Sequence, residues 1–148
     1  KEVWRYLAKS RLETGDAEGA LTAAENVLAV EDNPAWKADG LLDRGRAQFL
    51  LGRLDEARKA ADEALALRPQ GRTSAGLRIL SGDLEMKADN PKKASAEYLV
   101  VVNFHEDKDL KPLALHKLIE ALEKQGDKTE AAKYRQQLKS AFPDWKAP

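Results

Sequence analysis

The segment Gly52-Arg53-Leu54-Asp55-Glu56-Ala57 decides the fold, because its first and last residues recur at a fixed interval. Gly15, Gly52, Asp89 and Gly126 stand 37 residues apart, and Ala20, Ala57, Ala94 and Ala131 repeat that interval five places later. Such a period marks stacked supersecondary units, each unable to bury its apolar face alone. Leu41, Leu42, Ala47, Phe49, Leu50 and Leu51 precede the quoted turn, and Leu54, Ala57, Ala60, Ala61, Ala64, Leu65 and Leu67 follow it. Spacings of three, four and seven make a helical stripe, whereas a strand would alternate.

Each unit is therefore two amphipathic helices around a tight turn. Gly15, Gly52 and Gly126 allow the positive φ that stops a helix, and Asp89 can take it at some cost. The pattern predicts eight helices, near 2–14, 17–31, 36–51, 54–68, 74–87, 91–105, 111–125 and 128–142. Asn90-Pro91 predicts an N-cap and first helical residue, and Asp127 with Glu130 a capping box. Pro34, Pro69, Pro112 and Pro143 punctuate the connections. Tyr98–Phe104 has strand character, but its place in the period predicts a buried helix. The expected architecture is one all-α domain of four helix-turn-helix repeats, about 1–36, 37–73, 74–110 and 111–148. Where two arms of a repeat cross, the alanine column lets backbones approach, with Ala8, Gly45 and Gly82 on the facing arm.

Composition narrows the function. Among 148 residues, 25 Lys and Arg balance 25 Asp and Glu, and each half is near neutral. That leaves no basic excess for nucleic acid. The longest apolar run, Tyr98–Val102, is far short of the roughly 20 residues that cross a bilayer. With no Cys there is no disulfide, thiolate metal site or cysteine nucleophile. The pairs Glu31-Asp32, Asp55-Glu56 and Asp62-Glu63 are adjacent, so a helix turns them apart, and they belong to a solvated face. His105 and His116 lack the spacing of a helical metal pair, although His105 with Glu106, Asp107 and Asp109 forms an acidic loop. No serine lies in a nucleophile-elbow context, and the nine glycines are dispersed rather than gathered in a phosphate loop. We expect no enzyme, cofactor or metal. Trp4, Trp36 and Trp145 fall near repeat boundaries, where packing is the expected role.

These residues resemble the tetratricopeptide repeat, with its W-x2-L-G-x2-Y, A-x3-F and closing P. The first unit offers Trp4, Leu7, Ala8, Gly15, Ala20 and Pro34. The second offers Gly45, Gly52, Ala57 and Pro69; the third Gly82, Ala94 and Tyr98; the fourth Leu118, Gly126, Ala131 and Pro143. The usual repeat is about 34 residues, so each unit here is longer. Arg11, Gln48, Glu85 and Leu122 stand where the family has an aromatic. The texture of Ala96–Val102, Pro112–Leu118 and Ala141–Trp145 resembles bacterial cell-envelope members, which implies an envelope or periplasmic location.

The resemblance implies an α-α superhelix whose first helices line a concave groove. Carried over by the period, the lining positions are Glu2, Arg5, Lys9 and Leu12, then Asp39, Leu42, Arg46 and Phe49. Gly76, Ile79, Asp83 and Met86 follow, then Leu113, His116, Glu120 and Glu123. Leu12, Leu42, Phe49, Ile79 and Met86 would offer an apolar surface, unless Phe49 and Met86 simply pack between adjacent repeats. Arg5, Lys9 and Arg46 would oppose Asp83, Glu120 and Glu123 as a polarised groove. The family's terminal-carboxylate clamp is not expected, because Asp43 and Leu80 occupy two of its positions. The implied function is a non-enzymatic scaffold for a protein or peptide partner, without nucleic acid or membrane insertion. A self-assembly module, or the regulatory part of a longer protein, is the alternative. A pure interaction groove implies a monomer, a self-assembling array a dimer or more. The polar last helix suggests a C-terminal cap with Trp145 folded across it. The apolar first helix, beginning at Lys1 without a start Met, suggests a processed chain or a fragment with further repeats or another domain upstream.

Overall fold

The computed structural model describes all 148 residues and contains eight helices and no strand. They are α1 (Glu2–Thr14), α2 (Ala17–Val30), α3 (Pro34–Leu50), α4 (Leu54–Ala66), α5 (Gly71–Lys87), α6 (Pro91–Phe104), α7 (Leu110–Gln125) and α8 (Lys128–Ala141). The chain divides into two compact units, Lys1–Leu80 and Ser81–Pro148, and the division falls inside α5. In the first unit α1 packs on α2, α2 on α3 and α3 on α4; in the second α6 packs on α7 and α7 on α8.

The turn column behaves as its chemistry demands. Gly15, Gly52 and Gly126 have φ of 82°, 77° and 89°, and Asp89 joins them at 60°. Asp is among the few side chains that tolerate this left-handed region. The Gly15 amide returns to the Arg11 and Leu12 carbonyls, which closes α1, and the Asp16 carboxylate accepts from the Gly19 amide to open α2. Asn33 caps α3 by accepting from the Ala35 and Trp36 amides, so α3 starts at Pro34 rather than at 36. Helix α5 likewise begins three residues before the expected 74.

Three local expectations are corrected. Asn90 stands at the N-cap of α6, but its side-chain amide donates to the Glu85 carboxylate, and no side-chain cap bond forms. Asp127 makes one half of a capping box, accepting from the Glu130 amide; its own N–H donates instead to the Leu122 carbonyl. Pro112 does not punctuate a connection. It lies buried in the first turn of α7, where a missing N–H leaves no helical bond unmade.

The alanine column is buried throughout, with Ala20, Ala57 and Ala94 at 0% exposure and Ala131 at 1%. Its facing partners differ from repeat to repeat. Gly45 makes the expected close approach, since a Cβ there would lie 3.5 Å from the Ala57 carbonyl oxygen and 3.4 Å from the Ala60 Cβ. Ala8 packs instead with Ala23 and Ala24, while Ala20 packs with Leu12, Leu21 and Ala47. Gly82 shelters the ring of Tyr98, not Ala94. A ring needs more room than a methyl, and only glycine leaves that room. Tyr98, Val101 and Val102 are buried, as a helix in this place requires.

Candidate functional site

In the first unit the face shared by α1 and α3 carries Arg5, Lys9 and Asp39 of the expected groove residues. Arg5 pairs with Glu31 and lies over the Trp36 ring, 4.3 Å from its centroid. Lys9 bridges Asp39 and Asp43, at 2.9 Å from a carboxylate oxygen of each. One turn beyond, Arg46 is exposed, and Phe49 is half-buried. These positions converge because α1 and α3, the first helices of consecutive repeats, run side by side.

The apolar half of the expected surface is corrected. Leu12, Leu42 and Ile79 are only 6–7% exposed. Leu12 joins Ala20, Leu21 and Ala47 in the core, and Leu42 fills the space left by Gly76, where a Cβ would stand 2.7 Å from its Cδ2. Burial of these side chains stabilises the stack itself.

In the second unit Asp83 accepts from the Tyr98 hydroxyl at 2.6 Å and from Lys117 Nζ at 2.9 and 3.0 Å. His116 meets Glu120 at 2.6 Å, and Glu123 pairs with Arg135. Met86 is half-buried and Glu120 exposed. Trp145 folds back, but onto His116 of α7, with ring centroids 5.5 Å apart, rather than across α8. The expected polarity is therefore corrected in part: Arg5 and Lys9, and Asp83 and Glu123, each face an opposite charge within their own unit. Such pairing lowers the long-range field of each group.

Two carboxylates escaped the sequence reading. Glu31, placed there on a solvated face, is 4% exposed and accepts from Lys1, Arg5 and the Asn33 amide. It continues the stripe Ala20, Ala24, Val27 by one more helical step, and that spacing was the available signal. Asp43 is 2% exposed and extends the buried row of Gly40 and Ala47. The Asn33 amide holds the Glu31 carboxyl below its ordinary range, and Arg5 and Lys1 reinforce this against the opposing effect of burial. Burial pushes Asp43 up, and Lys9 offsets only part of that. Burial acts against the Lys9 charge, yet Asp43 and Asp39 outweigh it and raise the ammonium. The Tyr98 phenol is raised by burial and then by Asp83.

The acidic loop after α6 serves α7. Asp107 accepts from the Asp109 and Leu110 amides, and Glu106 pairs with Lys111. No three His, Asp or Glu side chains gather as metal ligands would, and no helix is long and apolar enough to cross a membrane.

Comparison with known proteins gives two matches. Residues 6–72 match one family model described as a tetratricopeptide repeat, and residues 113–144 match a second of the same description. No curated protein matches the chain.

Proposed function

The chain belongs to the tetratricopeptide repeat family, and from that premise we propose that it binds a protein segment bearing both signs of charge along the α1–α3 face. Tetratricopeptide repeats are generally protein–protein interaction modules and typically non-enzymatic scaffolds. One observation carries the finer reading. Lys9, Asp39 and Arg46 hold a mixed-charge row at a partly open surface, while Leu12 and Leu42 have withdrawn into the core. Recognition there rests on charge and hydrogen bonding with a small apolar contribution from Phe49, which favours register and specificity over raw affinity. Arg5 joins the row through Trp36, whose half-exposed ring offers an incoming chain a flat apolar contact. In the second unit Met86, His116 and Glu120 are the corresponding contacts.

A displayed peptide library selected on the chain tests this. Selected peptides should carry acidic and basic residues, and the double substitution Arg46→Glu with Phe49→Ala should weaken them at least about tenfold by fluorescence polarisation. The thermal melt should stay unchanged. Undiminished binding by the double variant would place the site elsewhere.

A further inference from the structure

We propose that the bound protein segment sets an acidic side chain on Arg46 and an apolar side chain, two residues away, on Leu50. The inference rests on the α1–α3 face being the binding face and names what the segment must carry there. A ladder of charges between consecutive first helices supports it. Lys9 reaches Asp43 at 2.9 Å, across 34 residues of sequence. In the second unit Lys117 reaches Asp83 at 2.9 and 3.0 Å across the same 34 residues, with cation and carboxylate exchanged. The period carries Lys9 onto Arg46 and Asp83, and Asp43 onto Leu80 and Lys117. The middle rung therefore sets Arg46 against Leu80 and lacks its carboxylate.

Within the first unit nothing supplies the missing charge. Leu80 is 3% exposed and turned onto Gly45, where a Cβ would stand 2.9 Å from its Cδ2. Asp43, one turn back on α3, feels the Arg46 charge, but it is 2% exposed and its Oδ2 already accepts from Lys9. Arg46 is left exposed and outside any ion pair. Both flanks of α3 are occupied here, by Lys9 of α1 and by Gly76 and Leu80 of α5, so the exposure belongs to the face itself. An exposed guanidinium of this kind takes a carboxylate through two parallel N–H bonds. Leu50 fixes the second contact. It is 56% exposed one helical turn, about 6 Å, beyond Arg46. The other repeats carry Glu13, Lys87 and Lys124 at that position. Side chains two residues apart on an extended segment share one face and stand about 7 Å apart, which matches the step from Arg46 to Leu50.

Peptides selected from a library on the 148-residue chain, remade as fluorescent probes with free and with amidated C-termini, test the proposal by fluorescence polarisation. They should share an acidic residue with an apolar one two positions away, and both forms should bind equally. Changing that acid to its amide should weaken binding about tenfold on the wild-type chain and hardly at all on Arg46→Gln, the coupling that marks a direct pair. Added salt should shrink the coupling. Leu50→Ser should weaken binding about fivefold and leave the coupling unchanged. Probes that bind only with a free C-terminus would overturn the assignment to a side chain. Probes weakened by Arg46→Glu with Phe49→Ala, yet without coupling between their acid and Arg46, would overturn this inference and leave the α1–α3 face as the binding face. Probes indifferent to both, or a chain that selects no peptide, would overturn the two together.

Discussion

Gly45 and Gly82 occupy the same place in successive repeats, yet the two units close their helix seams by different means. Around Gly45 the neighbours are small or pliant: Ala57, Ala60 and the tip of Leu80. Around Gly82 the neighbour is one large ring, Tyr98, which is 1% exposed and tied through its hydroxyl to Asp83 and thence to Lys117. The first seam is tight because nothing protrudes, the second because a rigid group fills a hollow. A repeat thus conserves spacing along the chain while the packing solution changes, and the rigid solution leaves less room for substitution.

Substitutions sharpen that contrast, and the largest effect belongs to the alanine seam. Ala57→Leu forces a branched side chain between α3 and α4 and should cost about 3 kcal/mol, read from chemical denaturation. A wild-type melt from that variant would break the account of the helix pairing. Gly82→Ala comes next. Its Cβ would sit 2.7 Å from the Tyr98 Cζ, so a loss of about 2 kcal/mol is expected despite the better helix propensity of alanine. Tyr98→Phe should cost about 1 kcal/mol by stripping one charged hydrogen bond from Asp83. Gly45→Ala should be near neutral: its closest clash, 2.9 Å, is with the flexible Leu80 Cδ2, and helix propensity returns about 1 kcal/mol. Equal losses at Gly45 and Gly82 would erase the distinction.

The smallest effect is a change of slope with pH. Glu31 has a folded-state carboxyl held below the reference value of 4.5, so its stabilisation is present above that pH and fades as pH falls through the lowered value. Glu31→Gln should flatten that acid limb of the stability profile. Asp43 is raised in the folded state, so its protonation favours folding, and Asp43→Asn should steepen the same limb.

The period and the turn chemistry made the helices legible, because both act locally and leave residue types at fixed offsets. Gly15, Gly52, Asp89 and Gly126 needed only their own backbone geometry. The face between α1 and α3 was harder to read. Transferring lining positions by the period named Lys9 and Asp39 without pairing them. It could not say that Leu12 would be claimed by Ala47, or Leu42 by the hollow at Gly76, since those outcomes depend on neighbours in the next repeat. Glu31 looked like a surface acid for the same reason, and Asp43 was noticed only as a departure from the family's clamp. Their burial follows from which stripe they extend, and their charge survives because a cation from another helix reaches them.

Glu31 also changes how the first hairpin can come apart. The turn at Gly15 ties α1 to α2 at one end, while Lys1, Arg5 and the Asn33 amide converge on Glu31 at the other. Helices ordinarily fray from a loose tip, but here the tip is stitched, and unravelling it would strand a carboxylate away from its cations. The ordering of the opening turn of α1 is thereby yoked to the α2–α3 junction, and the two should lock or loosen together.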